Sequence, residues 1–145
     1  MRSLPHFSER LAELLFENNL TMEQLGRAIG TTDSTVCGWK NAKQNISLSN
    51  ALKLADYFHC SLEFLTGRSE TKIDYLPRAC PPFYDRLRQV MAECKITRYR
   101  IVKEKTVSEN NLYSWKKGGD PFLQSVVDLA DYFGCTLDYF LGREK

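Results

Sequence analysis

The chain repeats itself, and this constrains its folding more than any single residue does. Shifted by 75 residues, Leu54-Ala55-Asp56-Tyr57-Phe58 falls on Leu129-Ala130-Asp131-Tyr132-Phe133, Cys60 on Cys135, Leu62 on Leu137, and Gly67-Arg68 on Gly142-Arg143. Upstream the shift is 76. It places Phe7 on Phe83, Arg10-Leu11 on Arg86-Leu87, Thr21 on Thr97, and Trp39-Lys40 on Trp115-Lys116. One residue is therefore missing from the second copy between the tryptophan and the LADYF segment. Two copies are too few for a solenoid, so the pattern reads as a tandem duplication of one folding unit. The units run over 6–68 and 81–145, with a linker at 69–80. Pro77 inside the linker and Pro81-Pro82 at its end oppose helix, while Ile73, Tyr75 and Leu76 can still dock on a neighbour. Each unit must close within about 70 residues, near the lower limit for a self-sufficient core.

Periodicity makes both units all-helical, since no stretch sustains period-two alternation. Phe7, Leu11, Leu14 and Leu15 follow the i, i+4, i+7, i+8 rule of a buried helix face, and Phe83, Leu87, Val90 and Met91 repeat it. Thr21-Met22-Glu23-Gln24 is a capping-box signature opening a short helix that ends near Gly30. Thr32 suits the N-cap of the next helix, which carries Val36 and Trp39 inward; Ser47 caps a fourth through Phe58; Ser61 starts a last turn or two ending at Gly67. The matching starts in the second unit are Thr97, Ser108, about Asp120, and Thr136. Five short helices per unit result.

Two short helices joined by a three-to-four-residue turn at Gly30 form a helix-turn-helix signature. Leu25, small Gly26, turn Gly30, N-cap Thr32, Val36 and Trp39 are followed by a helix with Leu48, Leu52 and Leu54-Ala55, then by a closing helix at Ser61-Leu62-Glu63-Phe64-Leu65. This order resembles the Cro and phage-repressor (Xre) family of DNA-binding domains, and it occurs twice. The resemblance implies two tandem five-helix, lambda-repressor-like domains joined by the Pro-containing linker. The second copy departs from the family pattern at Val102, where the family prefers Ala, and at Thr106, which replaces the turn glycine and tolerates positive φ poorly. Its one-residue shortening between Trp115 and Pro121 is a third departure.

In such domains the N-terminal residues of the recognition helix meet base edges in the major groove. Carried over residue by residue, the resemblance assigns DNA contact in the first unit to Met22, Asp33, Ser34, Thr35, Cys37 and Gly38. In the second it assigns Arg98, Glu109, Asn110, Asn111, Tyr113, Ser114 and Lys117. The sets are chemically unequal. Asparagine can bond bidentately to adenine and Arg98 can hold a phosphate, whereas Asp33 offers a repulsive or cytosine-only contact and Gly38 is empty. Charge agrees: residues 1–70 hold 7 Lys/Arg against 8 Asp/Glu, and residues 71–145 hold 13 against 10. Between 95 and 117, Lys95, Arg98, Arg100, Lys103, Lys105, Lys116 and Lys117 face only Glu104 and Glu109. The second unit is therefore expected to dominate binding, with the first reading a weaker half-site or serving as a packing or dimerisation platform.

The resemblance implies a transcriptional regulator, a repressor of bacterial or mobile-element origin, whose partner is double-stranded DNA. The 14 residues from Ser69 to Pro82 reach on the order of 46 Å when extended. That exceeds the roughly 34 Å between half-sites one helical turn apart, so one chain can cover two; homodimerisation also stays open. The rival from another class is a protein-interaction module binding a regulatory protein partner, motivated by the acidic first unit with Asp33 and Gly38.

Catalysis is not expected. No GxGxxG, P-loop, GxSxG or HExxH pattern occurs, and His6 and His59 lie apart without an evident carboxylate or nucleophile partner. Five cysteines without a CxxC pair argue against a disulfide framework or a zinc site. No cofactor is implied. No run approaches the roughly 18 apolar residues of a membrane span, so a cytoplasmic protein without membrane contact is expected. Trp39, Trp115 and the LADYF aromatics are read as core, Cys60 and Cys135 as buried, and Cys37 as a small outward side chain rather than a redox-sensitive contact.

Overall fold

The computed structural model describes residues 5–70, 81–104 and 107–143, and the chain divides into two compact units between Asp74 and Tyr75. The first unit contains α1 (Pro5–Glu17), α2 (Met22–Ile29), α3 (Asp33–Lys40), α4 (Leu48–Phe58) and α5 (Leu62–Leu65). The second contains α6 (Phe83–Cys94), α7 (Arg98–Lys103), α8 (Glu109–Lys116), α9 (Leu123–Phe133) and α10 (Leu137–Phe140). Both units are all-α, with five helices each among the described residues. The linker prolines and Ile73, Tyr75 and Leu76 fall on residues 71–82, of which only 81–82 are described.

Local chemistry sets the starts of the helices. Thr21, Thr32, Ser47, Ser61, Thr97, Ser108 and Thr136 each accept a hydrogen bond from the backbone N–H three residues on. At Thr21 the box is complete, since the Thr21 N–H also donates to Gln24 Oε1 at 2.9 Å. The fourth helix of the second unit differs from expectation: its N-cap is Phe122, not Asp120, and no side chain caps it. Pro121 separates the two positions and is followed by extended backbone at Phe122, so the helix starts later than the acidic residue suggests.

In the first unit α1 packs on α3 and α5, α2 on α3 and α4, and α4 on α5. Phe7, Leu11, Leu14 and Leu15 meet Leu25, Val36, Trp39, Leu54 and Leu65 in the core, all buried. In the second, α6 packs on α8, α9 and α10, around Leu87, Ile101, Leu112, Leu123, Leu129 and Phe140. Phe83 is only half-buried, yet its ring stands edge-on to Trp115 and Phe140, with centroids 5.2 and 5.7 Å away. Two expectations are corrected here. Cys60 is buried but Cys135 is half-buried, and of the LADYF aromatics Tyr57 is 40% exposed while Tyr132 and Phe133 are half-buried. The helix turns these residues toward the rim of the core rather than its centre.

A repeated arginine ties the first helix of each unit to the last. Arg10 Nε donates to the Phe64 carbonyl at 3.0 Å, and Arg86 Nε to the Phe140 carbonyl at 2.9 Å. Four-residue helices cannot stand alone, and the guanidinium adds a long-range tie to their last carbonyls, of which that of Phe64 also accepts from the Gly67 N–H. The third helix is fixed differently in each unit. The buried Ser8 hydroxyl donates to the Trp39 carbonyl at 2.6 Å, whereas the repeat-equivalent Tyr84 is half-buried and the Phe83 ring supports Trp115.

Candidate nucleic-acid interface

In the two repeat-equivalent helix pairs, α2–α3 and α7–α8, the first helix ends differently. In α2 the chain leaves through Gly30 at φ 83, a left-handed conformation that glycine adopts without a Cβ penalty. Gly26 makes the close crossing: a Cβ there would sit 3.0 Å from the Thr31 carbonyl oxygen and the Thr32 carbonyl carbon. Val102 stands at the corresponding place, and α7 is six residues long against eight in α2, ending at Lys103 with Glu104 as its C-cap at φ −81. α7 stops two residues short of the repeat position at which α2 ends. Thr106, the other departure, lies outside the described residues, as does Lys105.

On α8, Leu112 and Trp115 face the core, which leaves Glu109, Asn110, Asn111, Tyr113, Ser114 and Lys116 exposed, with Lys117 just beyond. The Ser108 hydroxyl accepts from the Asn111 backbone N–H at 3.1 Å and fixes the first turn. Neither the Asn110 nor the Asn111 side-chain amide is hydrogen-bonded among the described residues. Each keeps a donor and an acceptor side by side, the pattern that pairs with adenine N7 and N6. The Lys117 ammonium lies 5.5 Å from the Tyr113 ring centroid, and the Lys103 ammonium 5.8 Å from that of Tyr99. Tyr99, 73% exposed on α7, escaped the sequence reading because a tyrosine near a helix start gives no signal of its own.

Arg98 and Glu109 are brought together: Arg98 Nη2 donates to Glu109 Oε2 at 2.6 Å, with both side chains at least half exposed. Arg100 pairs with Glu104 on its own helix at 3.0 Å. The Tyr132 hydroxyl first, and Arg100 second, hold the Glu104 carboxyl below the ordinary carboxylate range. The basic segment is thus not uniformly available. Both of its arginines are ion-paired and Lys103 adds to the positive charge beside Glu104, while Lys95, Lys116 and Lys117 form no ion pair among the described residues.

The first unit presents a different surface. Met22 is half-buried, and Asp33 and Ser34 are exposed, with Asp33 Oδ1 accepting from the Ser34 N–H at 2.9 Å. The Thr35 and Thr32 hydroxyls lie 3.0 Å apart, and Cys37 Sγ accepts from the Asn41 amide at 3.2 Å. Gly38 is buried, beneath Gln44: a Cβ there would meet Gln44 Cγ and Cδ at 2.7 Å. Gln44 therefore lies over the helix position that carries no side chain of its own. The second unit reverses this fit, since Ser114 has the side chain and loop residue Gly119 lacks one, with a built Cβ only 2.5 Å from Ser114 Oγ. A glycine inside a helix facing a longer loop was the available hint, but only the folded loop identifies Gln44.

Among the described residues no group of three or more His, Cys, Asp or Glu gathers as a metal site, and no helix is long and apolar enough to cross a membrane. Residues 11–65 match a family model described as helix-turn-helix, and residues 86–145 match that of the Cro/C1-type HTH DNA-binding domain. No curated protein matches the chain.

Proposed function

Because the chain is a Cro/Xre-type helix-turn-helix protein with two tandem domains and hence a DNA-binding regulator, we propose that it represses transcription by gripping duplex DNA chiefly through its second domain. The observation carrying this reading is the pair of exposed, unengaged amides of Asn110 and Asn111 on the first turn of α8. With α8 in the major groove, these amides address adenine edges, and Lys103, Lys116 and Lys117 neutralise flanking phosphates. Leu112 and Trp115 hold the helix from behind. In the first domain Asp33 repels phosphate, Gly38 adds no side chain, and the Thr35 hydroxyl is already turned to Thr32. Repression asks only that the bound protein occupy a promoter.

The test is fluorescence-anisotropy titration of the full chain with a duplex selected from a random pool. Replacing Asn110 and Asn111 together by alanine is expected to weaken binding by roughly tenfold or more, the scale of lost base-edge pairs. The Ser34→Ala, Thr35→Ala double variant should stay within about threefold of wild type. The reverse ordering would transfer the dominant role to the first domain. Placing the selected duplex over a promoter then tests the sign of regulation by transcription in vitro, where unchanged or increased transcript would remove the repressor assignment.

A further inference from the structure

We propose that Glu109 and Arg98 act as one specificity-determining unit, in which the arginine aims and neutralises the carboxylate so that it reads a cytosine in the major groove. The inference rests on the DNA-binding reading above and names the base that the second domain selects. It starts from the 2.6 Å ion pair between Arg98 Nη2 and Glu109 Oε2, which joins the first residue of α7 to the first residue of α8. A carboxylate in that place without a counter-charge would be driven from DNA by the phosphates. The guanidinium removes the repulsion, and because Glu109 takes one of its terminal nitrogens, its other donors stay available to a phosphate oxygen.

What the carboxylate can read follows from its inventory. An ionised glutamate only accepts hydrogen bonds. In the major groove guanine offers acceptors at N7 and O6, thymine an acceptor at O4, and adenine a donor beside the N7 acceptor. Cytosine's N4 donor has an acceptor on one side only, the O6 of its paired guanine, whereas adenine's N6 donor lies between its own N7 and the O4 of thymine, so the carboxylate is repelled less at cytosine. The repeat-equivalent residues of the first domain are Met22 and Asp33, which cannot form such a pair because methionine carries no charge. The device therefore belongs to the second domain.

Selection from a randomised duplex pool, run with the full chain as wild type, Glu109→Gln and Arg98→Met, tests this. Wild type should enrich cytosine at one position, with at least about fivefold preference over adenine in competition between duplexes differing only there. Glu109→Gln should exchange that preference for adenine, because glutamine brings a donor and an acceptor together. Arg98→Met should blur the preference and reduce the slope of log K against log salt by about 0.9, the share of one phosphate. If Glu109→Gln bound every duplex more tightly with an unchanged pattern, Glu109 would be only a counter-ion restraining Arg98, and the proposal would fall. If wild type and both variants selected no duplex, the DNA-binding reading itself would fail, an outcome separate from the first.

Discussion

At the scale of single residues, two glycines in the first domain show why a short distance does not by itself predict a cost. A Cβ on Gly38 would lie 2.7 Å from Gln44 Cγ and Cδ, yet those atoms belong to a flexible, exposed side chain that can swing away. Alanine is the better helix former by about 1 kcal/mol, so Gly38→Ala is expected to leave stability unchanged or raise it by up to about 1 kcal/mol. Urea titration followed by circular dichroism measures this. Loss of more than about 1 kcal/mol would mean that Gln44 is pinned on α3 by contacts worth more than the helix gain. Gly26 is the opposite case, because the atoms 3.0 Å from its built Cβ belong to the backbone of Thr31 and Thr32, and backbone at a helix start cannot be rotated aside.

At the scale of elements, that contrast bears on the two helix pairs, whose first helices end differently. Val102 holds the repeat position of Gly26 and α7 stops at Lys103, whereas α2 runs on to Ile29 and leaves through Gly30. Gly26→Val should therefore destabilise the first domain by about 1–3 kcal/mol, the usual penalty for overpacking where neither partner can yield. The same urea titration reads it, and a neutral result would show that the turn at Thr31 and Thr32 can move. Helix order and helix starts were legible in the sequence because caps are local: a Thr or Ser hydroxyl and an amide three residues on suffice, as seven of these caps show. The Asp120 expectation failed where that locality gave out, since extended backbone after Pro121 moved the start to Phe122 without a side-chain cap. The site was less legible. Arg98 and Glu109 were each picked out from sequence, but their pairing joins two helices, and Gln44 reaches Gly38 only through the loop's fold. The Tyr132 hydroxyl that depresses Glu104 likewise comes from another helix, α9.

At the scale of the whole molecule the net charge of +2 conceals an uneven distribution, for residues 71–145 carry the basic excess and residues 1–70 a slight acidic one. Ion pairing sharpens the unevenness. With Arg98 held by Glu109 and Arg100 by Glu104, the unpaired positive charge around α7 and α8 rests on lysines. Each phosphate neutralised steepens the fall of log K with log salt by about 0.9, so a salt series counts contacts without knowledge of the target sequence. Replacing Lys116 and Lys117 together by glutamine should reduce that slope by about 0.9 for each lysine that meets a phosphate, at little cost in stability because both are exposed. Lys40 is the repeat counterpart of Lys116, and Lys43 lies three residues further along in the first domain. Neutralising these two should leave the slope within about 0.5 of wild type if the second domain supplies the grip. Equal losses from both pairs would mean that the two domains share the backbone evenly. A loss confined to Lys40 and Lys43 would overturn the assignment of the dominant contact to the second domain, whatever sequence the protein selects.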